Sequence, residues 1–517
     1  MASSMDRRQV LQAGAAAGAI AAAGPALGAS HAAPKQGGTL RLGIAGANTS
    51  DSWDGRTHSD TYMQMLGQGA VFDSLTEVAA DGTLKGELAQ DWEASSDAKT
   101  WTFNLKKGVT FHNGKDFTAD DVIESLALHT AEDSKSAAKP IVASIDEIKK
   151  TDTHQVQMTL KAGNADFPYL LSDYHILIHP AGMIEESIAK GIGTGCYKAE
   201  SFDPGVRALV SKYENHYDSS KGHFDSVEQI AMNDAQARTN ALLTNQVDAI
   251  NRMDFKTEQL IKANPNTAIL EVTGNQHYTF PMLTNVAPFD NVNLRKALKH
   301  LFDRQELVDK ILQGHGAVAN DHPIGPANQY YHADLEQNAY DPDKAKFYLK
   351  EAGMEGATID LSVSEGAFKG ATDAGQLIMN SAAAGGVNIN LIKEPADGYW
   401  SNVWLKKPWC ACYWSGRATE DWMWATAYEK GVPWNDTHWD NERFQSLLLE
   451  ARAELDSGKR REMYYEMQEL CSKEGGVVIP MYANYVDAHS TKLANSGTVG
   501  NIWTMDGCRI SERWWFA

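Results

Sequence analysis

Positive charge is what this chain has least of. It carries 47 lysines and arginines against 67 aspartates and glutamates, a formal net charge of −20 over 517 residues. Phosphate would be repelled by such a surface, which argues against nucleic acid as a partner; an anionic membrane face is disfavoured on the same ground. Long apolar runs are scarce as well. The one stretch that comes near, Leu11 to Ala29, is rich in alanine and glycine and contains Pro25, whereas a spanning helix wants about 20 strongly apolar residues. Cysteine is rare and odd in number: Cys196, Cys410, Cys412, Cys471 and Cys508. No CxxC pair offers a zinc frame, at least one thiol stays unpaired, and most are expected as small buried apolar groups. Cys410 and Cys412 are expected on one face of a strand. The 16 histidines show no HExxH or other ligand spacing, and there is no GxSxG elbow or Walker-type phosphate loop. Neither a metal nor a cofactor is expected on these grounds. Acid pairs such as Asp120-Asp121 suggest a glycosidase as the rival enzyme reading, but adjacency in sequence does not set a carboxylate separation, and Asp121 reads better as a helix-start residue.

What is present begins with Arg7-Arg8-Gln9-Val10-Leu11, a twin-arginine pair ahead of the weakly apolar run. Ser30-His31-Ala32 supplies small residues at a cleavage site, so residues 1–33 read as a twin-arginine export signal and the mature chain as starting near Ala33. No cysteine lies near that point, which argues against a lipid anchor. The remaining length suggests roughly two to four domains. Gly38 to Ile44 alternates as a strand, and Trp101, Phe103 and Leu105 share one face of another. Thr118 is a plausible N-cap for a helix with acids in its first turn. One long apolar stripe predicts a helix over Asn293 to Gln313; a second helix pair is predicted from Phe444 to Leu470, broken at Asp456-Ser457-Gly458. Ile359 to Val363 and Val477 to Met481 read as strands among these helices. The mixture is α/β.

Several stretches coincide in order with one family: Gly37-Gly38-Thr39-Leu40-Arg41, Phe72-Asp73-Ser74-Leu75, Leu88-Ala89-Gln90-Asp91-Trp92, Phe111-His112-Asn113-Gly114, Gly193-Thr194-Gly195-Cys196-Tyr197, Asn245-Gln246-Val247-Asp248, Leu294-Arg295-Lys296-Ala297 and Tyr340-Asp341-Pro342-Asp343. The sequence resembles the extracytoplasmic solute-binding proteins of ABC importers, family 5, the peptide/nickel class. The resemblance implies a two-lobed periplasmic-binding-protein fold (type II, cluster C-like) with an extra subdomain in lobe I. Lobe I would comprise 34–80, 200–287 and 489–517, the inserted subdomain 81–199, and lobe II 288–488. It further implies a periplasmic monomer that captures a small-molecule ligand and delivers it to an ABC permease at the inner membrane, with no chemistry of its own. A solute-sensing or chaperone-like module, and a sugar-like or metal-chelate ligand, are the alternatives.

Eight of the 14 tryptophans fall between residues 400 and 439, and Arg417 stands among them in Cys410-Ala411-Cys412-Tyr413-Trp414-Ser415-Gly416-Arg417. Such clustering fits a lobe core or a ligand-facing wall. The resemblance places here, in peptide-binding members, an aspartate that holds the ligand amine; this chain has Arg417 three residues after Trp414. A guanidinium repels an ammonium and clamps a carboxylate with two parallel hydrogen bonds, so a carboxylate-bearing solute, short peptides included, is the expected ligand. Arg417 could instead pair with Glu420 or Asp421 to brace its loop, or be solvated; a shifted alignment would let either acid hold an amine. The candidate contacts are Arg417, Trp414, Ser415, Gly416, Trp53, Tyr399, Trp400, Trp434, Asn435, His438 and Met282. Trp53 belongs to a loop expected at the cleft edge, and Met282 to the segment Tyr278 to Asn285 expected along the hinge.

Overall fold

The computed structural model describes residues 34–517 apart from 133, 135, 396 and 397; the export signal expected at 1–33 lies outside the described residues. Two antiparallel strands, Thr267–Pro281 and Val477–Ser490, form the spine. They pair from Thr267↔Ser490 to Pro281↔Val477, with a break between Val272 and Gln276 where Thr273, Gly274 and Asn275 stand opposite Asn484 alone. On the Ser490 side of the break the sheet continues through Ala249–Ile250, Thr39–Ile44, Ser226–Ala231, Arg207–Lys212 and Tyr197–Asp203. On the Val477 side, Cys412–Trp414 joins one edge through Thr279↔Cys412 and His277↔Trp414, and Gly316–Val318 joins the other.

Strand alternation sends each half of this sheet into two cores. In the first half Leu40, Leu42, Val210 and Val227 pack with Tyr62, Phe72 and Trp514 on one face, while Ile250, Val486 and Ala488 pack with Leu242 and Ile261 on the other. In the second half Phe280, Val478 and Met481 pack with Leu298, Leu361 and Trp409, while Ile479, Tyr482 and Trp414 pack with Trp424, Phe444 and Tyr464. The spine thus passes from one lobe to the other, and the break in pairing lies at the passage. A separate four-stranded antiparallel sheet, ordered Ala89–Ala94, Thr100–Leu105, Gln155–Leu160 and Ile145–Asp152, has its own core around Phe103, Val122, Met158 and Phe167.

Local signals explain most of the elements. Trp101, Phe103 and Leu105 are buried as their alternation predicts. The helix Ala119–Thr130 begins behind Thr118, whose backbone N–H donates to Asp121 Oδ2 at 2.7 Å; this reciprocal cap satisfies a donor that the helix start leaves orphaned. The long helix expected over Asn293 to Gln313 is two helices, Val292–Lys299 and Arg304–Ile311. The Asp303 carboxylate accepts from Glu306 N at 3.0 Å and starts the second, a cap that apolar spacing alone does not reveal. The later pair is Glu442–Ala453 and Ser457–Glu474, with Asp456 capping Lys459 N at 3.0 Å. All five cysteines are buried and unpaired. Cys410 and Cys412 do not share one core: Cys410 packs with Trp409 and Leu361, Cys412 with Trp414 and Met423. The chain changes partner between them, from a bridge with Ser362 to the ladder with Thr279. No helix among the described residues is long and apolar enough to cross a membrane.

Candidate functional site

The lobes enclose a cavity of about 1450 Å³. Its walls include Asp60, Asp173, Tyr174, Arg252, Tyr485 and Trp503 on one side, and Tyr278, Phe368, Tyr413, Ser415, Arg417, Trp422 and Trp434 on the other. Contacts close it at two flanks. Lys369 Nζ lies 2.9 Å from Asp254 Oδ1 at one. At the other, Arg460 Nη2 lies 2.7 Å from Asp166 Oδ2, and Ala165 N donates to Arg452 O at 2.7 Å. The Arg460 pair is nearly dry, with side chains 10% and 5% exposed, and the guanidinium also lies over the rings of Tyr330 and Tyr464.

Arg417 is half-buried in the cavity wall. Its Nη1 donates to Ser415 O at 2.7 Å and to Gly416 O at 3.2 Å, and its guanidinium carbon sits 5.7 Å from the centre of the Trp422 ring. Among the described residues no hydrogen bond engages its Nε or Nη2, and no carboxylate pairs with it. The bracing role expected through Glu420 or Asp421 is not seen. Glu420 accepts from Tyr330 N at 2.7 Å, and Asp421 accepts from Arg452 Nε at 2.9 Å. Both acids open the helix Glu420–Ala427 behind Thr419, and burial pushes Glu420 up to about 7 and Asp421 up to about 6. Asn275, in the break of the spine, donates Nδ2 to Arg417 O at 2.9 Å and so fixes the loop from behind.

The other expected residues separate into wall, backing and core. Ser415 and Trp434 line the cavity, Trp434 being 44% exposed. Trp434 rests on Trp414 and Trp404, whose indole N–H groups donate to Asp436 Oδ2 at 3.3 and 3.1 Å. Burial pushes Asp436 up to about 6 against these bonds. Trp414 is therefore a buried backing residue. Gly416 is buried too: a Cβ there would fall 1.9 Å from Asn275 Cβ, so only glycine fits this approach. Trp400 is exposed and meets Tyr413 edge-on, outside the wall. Tyr399 is in the core, donating to Ala411 O at 2.7 Å. Asn435 is buried and caps a turn through Thr437 N and Oγ1. His438 lies on a different surface depression with Thr284, Asp290 and Glu474. Met282 is wholly buried, and Trp53 is held between Phe202 and Phe72 in the first lobe's core. Size and apolarity draw both inward once their neighbours are present.

Sequence reasoning did not nominate Tyr413, Trp422, Tyr174 or Asp173 as contacts. Tyr413 had a signal: in Cys412-Tyr413-Trp414 the flanking residues face a core, so alternation turns the tyrosine outward. Asp173 had none, because it arrives from the four-stranded-sheet unit. Its Oδ1 accepts from His175 N at 2.9 Å and contacts His175 Nδ1 at 2.6 Å. Burial opposes its charged form, but His175, with the Arg417 charge added, holds the carboxyl below its usual range.

One buried acid group, Asp73, Glu87 and Glu512, has ligand atoms within 4.8 Å of one another. Protein cations already fill it: Arg509 Nη1 is 2.7 Å from both Glu87 and Glu512, and Lys221 Nζ is 3.1 Å from Glu87.

Comparison with known proteins agrees with this architecture. The family described as bacterial extracellular solute-binding proteins, family 5 middle, matches residues 83–435. A dipeptide-binding protein of Escherichia coli is 27% identical over 441 residues, covering 76% of this chain and 79% of that protein. Among solved structures, an ABC transporter substrate-binding protein, CtaP, of Listeria monocytogenes superposes with a TM-score of 0.80 at 19% identity, over 93% of this chain and 100% of the other. The periplasmic binding protein DppA of Helicobacter pylori, in complex with the peptide STSA, gives 0.78 at 20% identity, over 93% and 98%.

Proposed function

Because this chain belongs to the bacterial extracellular solute-binding proteins of family 5, we propose that it holds a carboxylate-bearing organic solute, short peptides included, on Arg417 between its lobes. The chain is the substrate-binding component of an ABC import system, a periplasmic protein that serves a membrane permease. The proposal concerns what it carries and how. One observation carries it: Nη1 of Arg417 is anchored to carbonyls of its own loop, while the Nε and Nη2 edge has no partner among the described residues. That edge is the one that grips a carboxylate with two parallel bonds. Trp422, Trp434 and Tyr413 around it suit an apolar or aromatic part.

Binding on both walls at once favours the closed arrangement, because the open one offers only half of the contacts. We assign residues 34–80, 200–287 and 489–517 to lobe I, 81–199 to an inserted subdomain and 288–488 to lobe II; the separate buried cores suit this division except where the spine crosses, since Phe280 packs in the second lobe's core and Val486 and Ala488 in the first's. The protein acts as a monomer, binds without turning its ligand over, and reaches the periplasm by the twin-arginine route.

The test is native mass spectrometry of protein taken from the periplasm, followed by calorimetry with the ligand so identified. A carboxylate in the ligand, and an affinity about 10- to 100-fold weaker for Arg417→Ala, are expected for loss of a charged hydrogen bond. Unchanged affinity in that variant returns Arg417 to a loop-bracing role.

A further inference from the structure

We propose that shutting the lobes takes up one proton, on Glu420, so that the closed, ligand-holding arrangement is favoured as the medium turns acid. This rests on the closing of two lobes about a ligand and is independent of what that ligand is.

Glu420 lies in the flank where the four-stranded-sheet unit meets the second lobe. Its Oε1 accepts from Tyr330 N at 2.7 Å. The Tyr330 ring carries the Arg460 guanidinium, 5.6 Å from its centre, and Arg460 Nη2 reaches across to Asp166 Oδ2 at 2.7 Å. Asp166 precedes the short helix Phe167–Leu170, whose Tyr169 is near enough to feel the Glu420 charge. Next to Glu420, Asp421 and Trp422 line the same cavity as Asn164 and Leu170 of the opposite unit. Both halves of the molecule thus enclose this carboxyl, and Glu420 is 2% exposed.

The charges in the seam do not balance. Arg460 serves Asp166, and Arg452 serves Asp421 at 2.9 Å and Glu429 at 2.7 Å. Among the described residues no cation pairs with Glu420. The remaining titratable groups around it, Tyr169, Tyr330 and Tyr464, are phenols. A buried carboxylate without a cation neutralises by holding a proton. The start of the helix Glu420–Ala427 favours the charged form, as does the bond from Tyr330. Burial, with the Asp166 charge added, outweighs both and pushes the carboxyl up to about 7. Opening carries Asp166 and Tyr169 away with their own half and lets water reach Glu420, which then ionises near the ordinary 4.5. Between those two values the closed form holds a proton that the open form has released. Closing therefore strengthens as pH falls through this window and is weakest above it. Asp421 differs, because its partner Arg452 belongs to the same lobe and travels with it.

The experiment uses the mature protein as purified from the periplasm, with no ligand added, and reads the radius of gyration by solution scattering from about pH 5 to about pH 8. The wild type should be compact at the acid end and open towards the neutral end, the closing constant falling about 10- to 100-fold for one proton. Glu420→Gln, neutral at every pH and of the same shape, should stay compact throughout. Infrared difference spectra of wild type against Glu420→Gln at the acid end should show the carbonyl stretch of an un-ionised carboxyl; its absence overturns the assignment. A folded Glu420→Gln, checked by thermal melting, that keeps the wild-type pH response also overturns it. A wild type more compact than Arg460→Ala at every pH, yet unresponsive to pH, overturns the proton link alone and needs no Glu420 variant to fold. A wild type no more compact than Arg460→Ala even at the acid end removes the closed arrangement itself.

Discussion

Gly416 lies so close to Asn275 that a methyl group on the glycine would sit 1.9 Å from the asparagine Cβ. The next residue, Arg417, accepts the Asn275 amide on its carbonyl at 2.9 Å. The loop that presents the guanidinium is thereby seated directly on the break in the interlobe spine.

Gly416→Ala should therefore displace this loop while leaving Arg417 in the chain. Overpacking of this kind costs about 1–3 kcal/mol. Calorimetry should show weakened binding with a smaller loss in thermal stability than in affinity, since the contact lies at the cavity wall. An affinity equal to the wild type would mean that the position of the loop does not matter.

The flank contacts make a paired prediction about closure. Arg460→Ala leaves Asp166 buried without its cation, a loss of about 3–5 kcal/mol in the closed arrangement. Opening lets water reach Asp166, so the variant should open, with a larger radius of gyration in solution scattering and weaker ligand binding. Lys369 is 68% exposed in its pair with Asp254, and screened surface pairs contribute only about 0–1 kcal/mol. Lys369→Ala should change neither measurement appreciably. Equal effects of the two substitutions would contradict this ranking.

Asp436 gives a pH prediction with a definite sign. Burial raises its carboxyl from 3.8 to about 6, although Trp404 and Trp414 donate to it and Cys410 and Cys412 lie nearby. Between those two values the folded protein holds a proton that the unfolded chain has released, so this group's contribution to stability falls as pH rises from about 4 to 6 and stays low above that. The full effect is on the order of 3 kcal/mol. Asp436→Asn should flatten this portion of the stability curve, measured by urea denaturation at a series of pH values. A parallel curve for the variant would show that Asp436 is charged throughout.

Replacing Arg7 and Arg8 by lysine should abolish export. Cell fractionation should then find the protein in the cytoplasm with its leader attached; normal periplasmic accumulation would refute the twin-arginine assignment.

Much of the scaffold could be read from residue order alone, because its signals are local. The alternation at Trp101, Phe103 and Leu105 and the cap at Thr118 each depend on a few neighbouring residues. The break between Val292–Lys299 and Arg304–Ile311 was hidden because Leu301 and Phe302 continue the apolar stripe through it, while the cap at Asp303 looks like any surface acid. Arg417 could be singled out from the sequence, where a cation among aromatics is conspicuous, and it does line the cavity. Nothing in the sequence signalled that Asp173, more than two hundred residues away, lines the same cavity, nor that Trp53 and Met282 turn inward, which depends on Phe202 and on Gly476 and Thr437 arriving from elsewhere. Of the tryptophan cluster, Trp414 and Trp404 proved to support Trp434 from behind, a division of labour set by the buried Asp436 carboxylate.

Thr273, Gly274 and Asn275 give one spine strand two more residues than its partner supplies at Asn484. That surplus is slack. The ladder on either side can stay zipped while the halves of the molecule swivel about this point, because the backbone there has no rungs to sever. A change in the angle between the halves then needs no part of the sheet to come apart.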